Sequence, residues 1–93
     1  MKTIWKYEVF NVLEMPKGAK ILSLQVQNNL PHFWVLVDTE ADKEKRIFSI
    51  YSTGFNLEML DLDGKDKYIG TYQSPKTDFV WHVFEINGNI INQ

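Results

Sequence analysis

The chain has 93 residues, of which 44% are hydrophobic and 24% charged, and ten basic and twelve acidic residues give it a formal charge of −2. This length and hydrophobicity favour a single folded domain, residues 1–93, over a disordered chain, and the slightly acidic balance does not favour a nucleic-acid ligand. Because the sequence has no cysteine, it excludes disulfides, thiolate metal sites and thiol nucleophiles.

The N-terminal segment is predicted to form two short strands with a break near Asn11. Residues 4–10 alternate aromatic with charged side chains, which is typical of an edge strand that buries one face. The strand pattern resumes over residues 12–15. Residues 15–18, Met-Pro-Lys-Gly, follow with the proline and glycine spacing of a tight turn.

Residues 20–38 are the organising feature of the chain and are predicted to form a β-hairpin. The first half, 20–27, alternates apolar with polar residues, so we expect one face of this strand to be buried. Asn28 and Asn29 supply the turn, because asparagine reaches left-handed backbone angles at low cost. The second half, 33–37, is apolar at every position, and we expect it to be the central strand.

The rest of the chain is predicted to contain charged loops and three further strands. Residues 38–45 are mostly charged and are predicted to be a solvated loop, whereas 55–62 fits a loop, a helical turn or a short strand and is predicted as loop. Gly70 indicates a bulge or a close backbone approach. Glu85 interrupts an apolar strand and is interpreted as a solvent-facing residue near its end. The three strands are predicted at 46–51, 68–72 and 79–86.

Six or seven short strands, separated by turn residues and without a convincing helix, predict an all-β fold. The two architectures that fit are a small antiparallel sandwich and a partly open barrel. One inward register of each strand gives the predicted core, which consists of Leu22, Leu24, Val26, Trp34, Leu36, Phe48 and Ile50.

No constellation of residues in the sequence predicts catalysis, a cofactor or a metal site. His32 and His82 lie far apart, and only carboxylates could complete a metal shell around either of them. Asp61-Leu-Asp-Gly64 is similar to the start of a calcium loop, but the glycine stands at the fourth position and Tyr72 occupies the place of the bidentate glutamate. A two-residue Asp-Gly hairpin turn accounts for the same residues. We therefore expect no catalytic, cofactor-binding or metal-binding residue.

Single-stranded nucleic acid is a ligand class that small β-barrels bind by stacking bases on exposed aromatic rings. Candidate stacking platforms are Trp5, Trp34, Tyr51, Tyr72 and Trp81. Such a site also needs a basic groove, and the lysines of this net acidic chain are scattered. A nucleic-acid partner is therefore our third hypothesis, below a protein-binding accessory role and a virion or assembly component.

Six segments that cover most of the chain carry a resemblance to a known family. They are residues 4–7, 18–27, 34–38, 51–54, 68–72 and 82–85. Together they resemble a family of small uncharacterised proteins encoded by bacteriophages and prophages. The resemblance implies an origin on a mobile element but no activity and no site residue. Val35 stands where the family has a smaller residue, which affects local packing.

We expect a non-enzymatic, protein-binding accessory protein encoded by a phage or prophage, and the alternative is a minor virion or assembly component. No apolar run suits a signal peptide or a membrane span, so the expected location is the host cytoplasm, with no membrane partner.

A partner chain is expected because two strands are apolar on both faces and no amphipathic helix is available to cover the second face. Loop residues Phe55, Leu57, Met59 and Leu60 are one candidate cover. We favour a partner, either a second copy in a homodimer or a host or phage protein. The predicted contacts are Phe33, Val35, Phe79 and Trp81.

Overall fold

The computed structural model describes residues 1–87, which form seven β-strands and no helix. The strands are β1 (Lys2–Glu8), β2 (Val12–Pro16), β3 (Lys20–Gln27), β4 (Leu30–Asp38), β5 (Lys43–Ser52), β6 (Lys67–Gln73) and β7 (Val80–Glu85). They make two antiparallel sheets, one of three strands in the order β1-β4-β3 and one of four in the order β2-β5-β7-β6. The all-β prediction is confirmed, and of the two predicted architectures the protein adopts the sandwich.

The break predicted near Asn11 is where the chain leaves one sheet for the other. β1 belongs to the three-stranded sheet and β2 to the four-stranded sheet. The backbone N–H of Val9 donates to the carbonyl of Pro31 at 3.1 Å, and Phe48 N–H donates to the carbonyl of Asn11 at 2.8 Å. The connecting segment is therefore bonded to both sheets and fixes one edge of the sandwich.

The predicted hairpin is present, with β4 as the central strand of its sheet. Asn28 and Asn29 have φ angles of 55° and 67°, the left-handed values that a two-residue type I′ turn requires. Gln27 and Leu30 are the strand residues paired on either side of this turn.

The inward register of β4 is the opposite of the predicted one. Phe33, Val35 and Val37 are buried between the sheets, so Trp34 and Leu36 point outward. The sequence pattern could not decide this, because residues 33–37 are all apolar and a shift of one residue exchanges the two faces of the strand.

The predicted core is also wrong at two positions of β3. A β-bulge between Ile21 and Ser23 shifts the pairing with β4. Leu22 therefore lies exposed while Leu24 still packs against the core. Val26, near the end of the strand, is exposed as well. The predicted burial of Phe48 is correct, and Ile50 packs against the core from its edge.

The buried residues of both sheets meet along β4 and β5. The rings of Phe33 and Phe48 lie 4.9 Å apart between centroids. The remaining members of the buried cluster are Val9, Met15, Ala19, Val35, Val37 and Val83.

The bulge predicted at Gly70 is confirmed, and so is the close approach. Pairing between β6 and β7 shifts between Tyr68 and Gly70. A Cβ atom at position 70 would lie only 3.1 Å from Cδ2 and 3.2 Å from Cβ of Leu24. Gly70 thus allows β3 and β6 to approach each other at one edge of the sandwich.

The charged loop predicted over 38–45 is shorter than expected. Asp38 still belongs to β4, and β5 begins at Lys43, because residues 43–45 pair with β2. Only residues 39–42 connect the two strands.

Residues 53–66 cross the outer face of the four-stranded sheet. β5 and β6 are both antiparallel to β7, which lies between them, so they run parallel and need a crossover connection. Phe55 packs on Tyr51 with ring centroids 5.2 Å apart. Phe84 contacts Tyr51 and is 5% exposed. The loop predicted over 55–62 is confirmed, and through Phe55 it packs on Tyr51 at the outer side of the sheet. The cover by a partner chain stays a prediction.

Candidate functional site

The four predicted interface residues do not form one surface. Phe33 and Val35 are fully buried between the sheets, because β4 has the opposite register, and so they are not available to a partner. Phe79 is 61% exposed and its ring lies 5.8 Å from that of Trp81. Phe79 also lines an open depression of about 380 Å³ together with Ser52, Thr53, Asp78 and Val80.

Exposed apolar side chains lie on the outer side of the three-stranded sheet, which we call the open face. It is defined by Ile4, Leu22, Trp34 and Leu36. Ile4 and Leu36 are cross-strand partners, 54% and 36% exposed, and Leu22 at the bulge is 48% exposed. Trp34 is half-buried in the next outward row. These side chains come from all three strands of the sheet.

Charged side chains lie at both ends of the open face. Lys2 pairs with Asp38 at one end, and Glu8 pairs with His32 at the other. Near the first end is a depression of about 320 Å³ lined by residues that include Lys17 and Lys20. The open face therefore has residues of both charges at its ends, and its centre is apolar except for Lys6 beside Trp34.

His32 is buried and forms part of the support of the open face. Its Nδ1 lies 2.9 Å from the carbonyl oxygen of Leu30 and must carry the proton, because a carbonyl only accepts. The ring meets Trp34 edge to face at 6.2 Å. Lys6 Nζ donates to Gln27 Oε1 at 2.6 Å, which links the two edge strands across the same face.

A second polar group lies on the outer side of the four-stranded sheet around His82. Thr53 Oγ1 lies 2.7 Å from His82 Nε2, and Thr71 Oγ1 lies 2.9 Å from His82 Nδ1. Tyr68 Oη bonds Thr71 Oγ1, and Thr53 Oγ1 is 3.4 Å from the carbonyl of Val80. With His82 protonated on Nε2, Tyr68 Oη donates to Thr71, and the hydroxyls of Thr71 and Thr53 each accept one bond and donate one, in the direction from Tyr68 to Val80.

This His82 network connects β6, β7 and the start of the crossover. Thr53 and His82 have the spacing of a hydroxyl nucleophile and its base, but the group that orients the other ring nitrogen is the neutral hydroxyl of Thr71 and not a carboxylate. All its hydroxyl protons are used within the network, so its geometry favours a structural role. Sequence reasoning missed it because residues 53 and 82 are distant in the chain.

A buried ion pair joins β5 to β7 beneath the three-stranded sheet. Arg46 Nε donates to Glu85 Oε2 at 2.7 Å and Nη2 donates to Oε1 at 2.8 Å, while Nη1 donates to the carbonyl of Ala19 at 2.6 Å. The hydrogen bond to Glu85 raises the pKa of Arg46 and outweighs the opposing effect of burial. Glu85 is buried, so its interpretation as a solvent-facing residue is wrong.

Asp66 organises the polar turn before β6. Its carboxylate is buried and accepts the backbone N–H groups of Asp61 and Asn87, each at 2.8 Å. The turn is also closed by Gly64 N–H, which donates to the carbonyl of Asp61 at 3.2 Å. The predicted two-residue Asp-Gly hairpin is wrong, because residues 53–66 contain no strand to form its first arm.

Neither a cluster of metal-ligating side chains nor a spanning helix is found in the described part of the chain. Among residues 1–87, no group of three or more His, Asp or Glu side chains is placed to share a metal ion. Nor do residues 1–87 include a helix of the length and apolar character needed to cross a membrane.

A family model described as "Domain of unknown function (DUF7352)" matches residues 1–92. The chain belongs to this family. No curated protein and no solved structure matches it. The expectation of an uncharacterised family is confirmed, whereas the phage or prophage origin stays a prediction.

The aromatic residues considered as base-stacking platforms lie on three different sides of this DUF7352 domain. Trp5 and Tyr72 pack toward the core from opposite sheets, and Trp81, paired with Tyr72, lies on the same inner side. Trp34 lies on the open face and Tyr51 lies under the crossover. Because these rings do not line one groove, their placement does not favour a single-stranded nucleic acid.

Proposed function

We propose that this protein is a non-enzymatic accessory protein that binds a protein partner through the open face. What supports the proposal is the exposure of Ile4, Leu22 and Leu36 on one side of a single sheet. Contiguous apolar surface of this kind is typical of protein interaction sites, because its burial is favourable by about 25 cal/mol per Å².

The open face is a better candidate than the opposite side of the sandwich. There, Phe84 is buried, and the exposed rings of Phe55 and Tyr68 belong to the crossover loop and to an edge strand, where they pack on Tyr51 and Phe84. The depression beside Phe79 is lined by residues of a strand end and two loops. A flat sheet face presents a more rigid surface than these connecting segments.

The resemblance to small phage and prophage proteins supports an accessory role in the cytoplasm of an infected cell. A regulator or adaptor of this size acts by occupying a partner's surface. Such a role requires an exposed binding face and no reaction centre.

The test uses two lysine substitutions at exposed apolar positions. Leu36→Lys places a charge in the centre of the open face, and Met59→Lys places the same charge in the crossover loop, where the native side chain is 49% exposed. The tagged wild-type protein and both variants are used to capture partners from lysate of cells that carry the gene. Captured proteins are identified by mass spectrometry, purified and bound again to each variant.

Wild type and Met59→Lys are expected to bind the same purified partner. Leu36→Lys is expected to bind it at least about tenfold more weakly, which corresponds to a loss of about 1.4 kcal/mol. Equal binding by Leu36→Lys and Met59→Lys would show that the open face is not the binding surface.

A further inference from the structure

We infer that the partner of the open face is a second copy of this chain, packed face to face about a twofold axis. This assignment rests on the proposed function, since it names the chain that covers the same surface. The charged residues at the two ends of the face have opposite signs along β1, so they are complementary to those of a second copy in one orientation.

Outward residues of β1 and β4 form four successive rows. From one end of the sheet to the other, the paired residues are Lys2 with Asp38, Ile4 with Leu36, Lys6 with Trp34, and Glu8 with His32. A lysine therefore stands at one end of β1 and a glutamate at its other end, and the two middle rows hold Ile4, Leu36 and Trp34 together with Lys6.

A twofold axis between two stacked sheets can run across the strands or along them. An axis across the strands, midway between Leu36 and Trp34, reverses the order of the rows in the second copy. Lys2 of one copy then lies opposite Glu8 of the second copy, and Leu36 lies opposite Trp34 of the second copy. Both charged corners of β1 thus meet an opposite charge, and Leu36 of each copy meets Trp34 of the other, while Ile4 lies opposite Lys6, whose ammonium group is bonded to Gln27 of its own chain.

An axis along the strands has the opposite electrostatic result. It would place β1 of one copy over β3 of the other, in the same row order. Lys2 would then approach the end of the face where Lys17, Lys20 and Asp38 line one depression with it, and the Asp38 side chains of the two copies would face each other. Like charges at close range oppose association, so the charges favour the axis across the strands.

The size of the face limits the strength of this dimer. Three strands about 4.8 Å apart and seven residues long, at about 3.3 Å per residue, give a face of roughly 14 by 23 Å. Its projected area of roughly 300 Å² is below the roughly 800 Å² per partner of a standard stable interface. We therefore expect a reversible dimer with a dissociation constant in the micromolar range or above.

The test is sedimentation velocity of the purified protein from micromolar to millimolar concentration. The expected mass rises from the 10.9 kDa of one chain toward twice that value. Lys2→Glu is expected to weaken dimerisation at least about tenfold, because the carboxylate introduced at position 2 would face Glu8 of the second copy. Lys2→Glu combined with Glu8→Lys restores opposite charges across the interface and is expected to restore the dimer.

The double variant separates the interface from the fold. Both variants carry a glutamate at position 2 beside Asp38 of the same chain, so the repulsion between these two carboxylates is the same in both. A mass of 10.9 kDa at every concentration would overturn the inference, as would a dimer that Lys2→Glu leaves unchanged or that the double variant fails to restore. If the protein is monomeric but still binds another protein through Leu36, the inference fails while the proposed function stands.

Discussion

Arg46 of β5 donates two parallel hydrogen bonds, of 2.7 and 2.8 Å, to Glu85 of β7 beneath the three-stranded sheet. Their side chains are 16% and 10% exposed. The third bond of the guanidinium, to the carbonyl of Ala19, attaches the turn before β3 to the same point. One arginine therefore connects both sheets at one end of the sandwich.

Removing one partner of this ion pair is expected to destabilise the fold strongly. Glu85→Ala leaves the buried guanidinium without its carboxylate, so the free energy of unfolding is expected to fall by about 3 to 5 kcal/mol in urea denaturation. The control is Lys6→Ala, which removes an exposed hydrogen bond to Gln27 and is expected to cost less than about 1 kcal/mol. A similar loss of unfolding free energy in the two variants would contradict the stabilising role of the Arg46–Glu85 ion pair.

The register of β4 is tested by neighbouring substitutions. Phe33→Ala empties a fully buried position and is expected to cost about 3 to 5 kcal/mol. Leu36→Ala alters an outward side chain of the same strand and is expected to cost less than about 1 kcal/mol in a monomer. Thermal or urea unfolding at low micromolar concentration measures both, and the reverse order of effects would restore the register expected from the sequence.

Gly70→Ala is expected to destabilise the edge where β3 and β6 meet. The added methyl group would lie 3.1 Å from Leu24 Cδ2, closer than an ordinary contact, and such overpacking costs about 1 to 3 kcal/mol. Gln73→Ala, at an exposed position of the same strand, is the control. In a double-mutant cycle, Leu24→Ala should reduce the cost of Gly70→Ala, and strict additivity of the two changes would argue against their contact.

The stability of the fold is expected to decrease in alkaline solution. Burial raises the pKa of Tyr7 and of Tyr72 above the ordinary tyrosine value. The folded state therefore holds these protons more tightly than the unfolded state. Their contribution is complete below about pH 10 and is lost as the pH rises through the folded-state values.

Urea midpoints measured between about pH 9 and about pH 11.5 check this dependence, because the range spans the ordinary tyrosine pKa. Tyr72→Phe and Tyr7→Phe should each flatten the alkaline loss, because each removes one of the two groups whose pKa is raised. An alkaline loss of the same slope in wild type and in both variants would assign the effect to other groups.

Local features of this fold could be predicted from the sequence. The alternation in 20–27, the turn at Asn28 and Asn29, and the bulge at Gly70 each depend on residues that are adjacent in the chain. Their conformational preferences act before the tertiary structure is known. For this reason the strands, the turn and the all-β class were all predictable.

The orientation of β4 and the polar pairs could not be predicted in the same way. A strand that is apolar on both faces gives no sign of which face is buried. The bulge at Leu22 exchanges the inward and outward positions of β3 part of the way along the strand. Arg46 and Glu85 are 39 residues apart and meet only because β5 and β7 are neighbours. The open face was missed for the same reason, since it is the side of β4 that the pattern had assigned to the core.

The position of β7 between β5 and β6 sets an order of events during synthesis. The three-stranded sheet is complete once residue 38 has emerged from the ribosome, whereas β6 pairs only with β7, the last strand of residues 1–87. β7 must insert between two strands that precede it, and contacts of this long sequence separation form slowly. Until then β6 and one edge of β5 have no strand partner in the nascent chain. The nascent chain is therefore most prone to aggregate, and to bind chaperones, in the interval before β7 emerges.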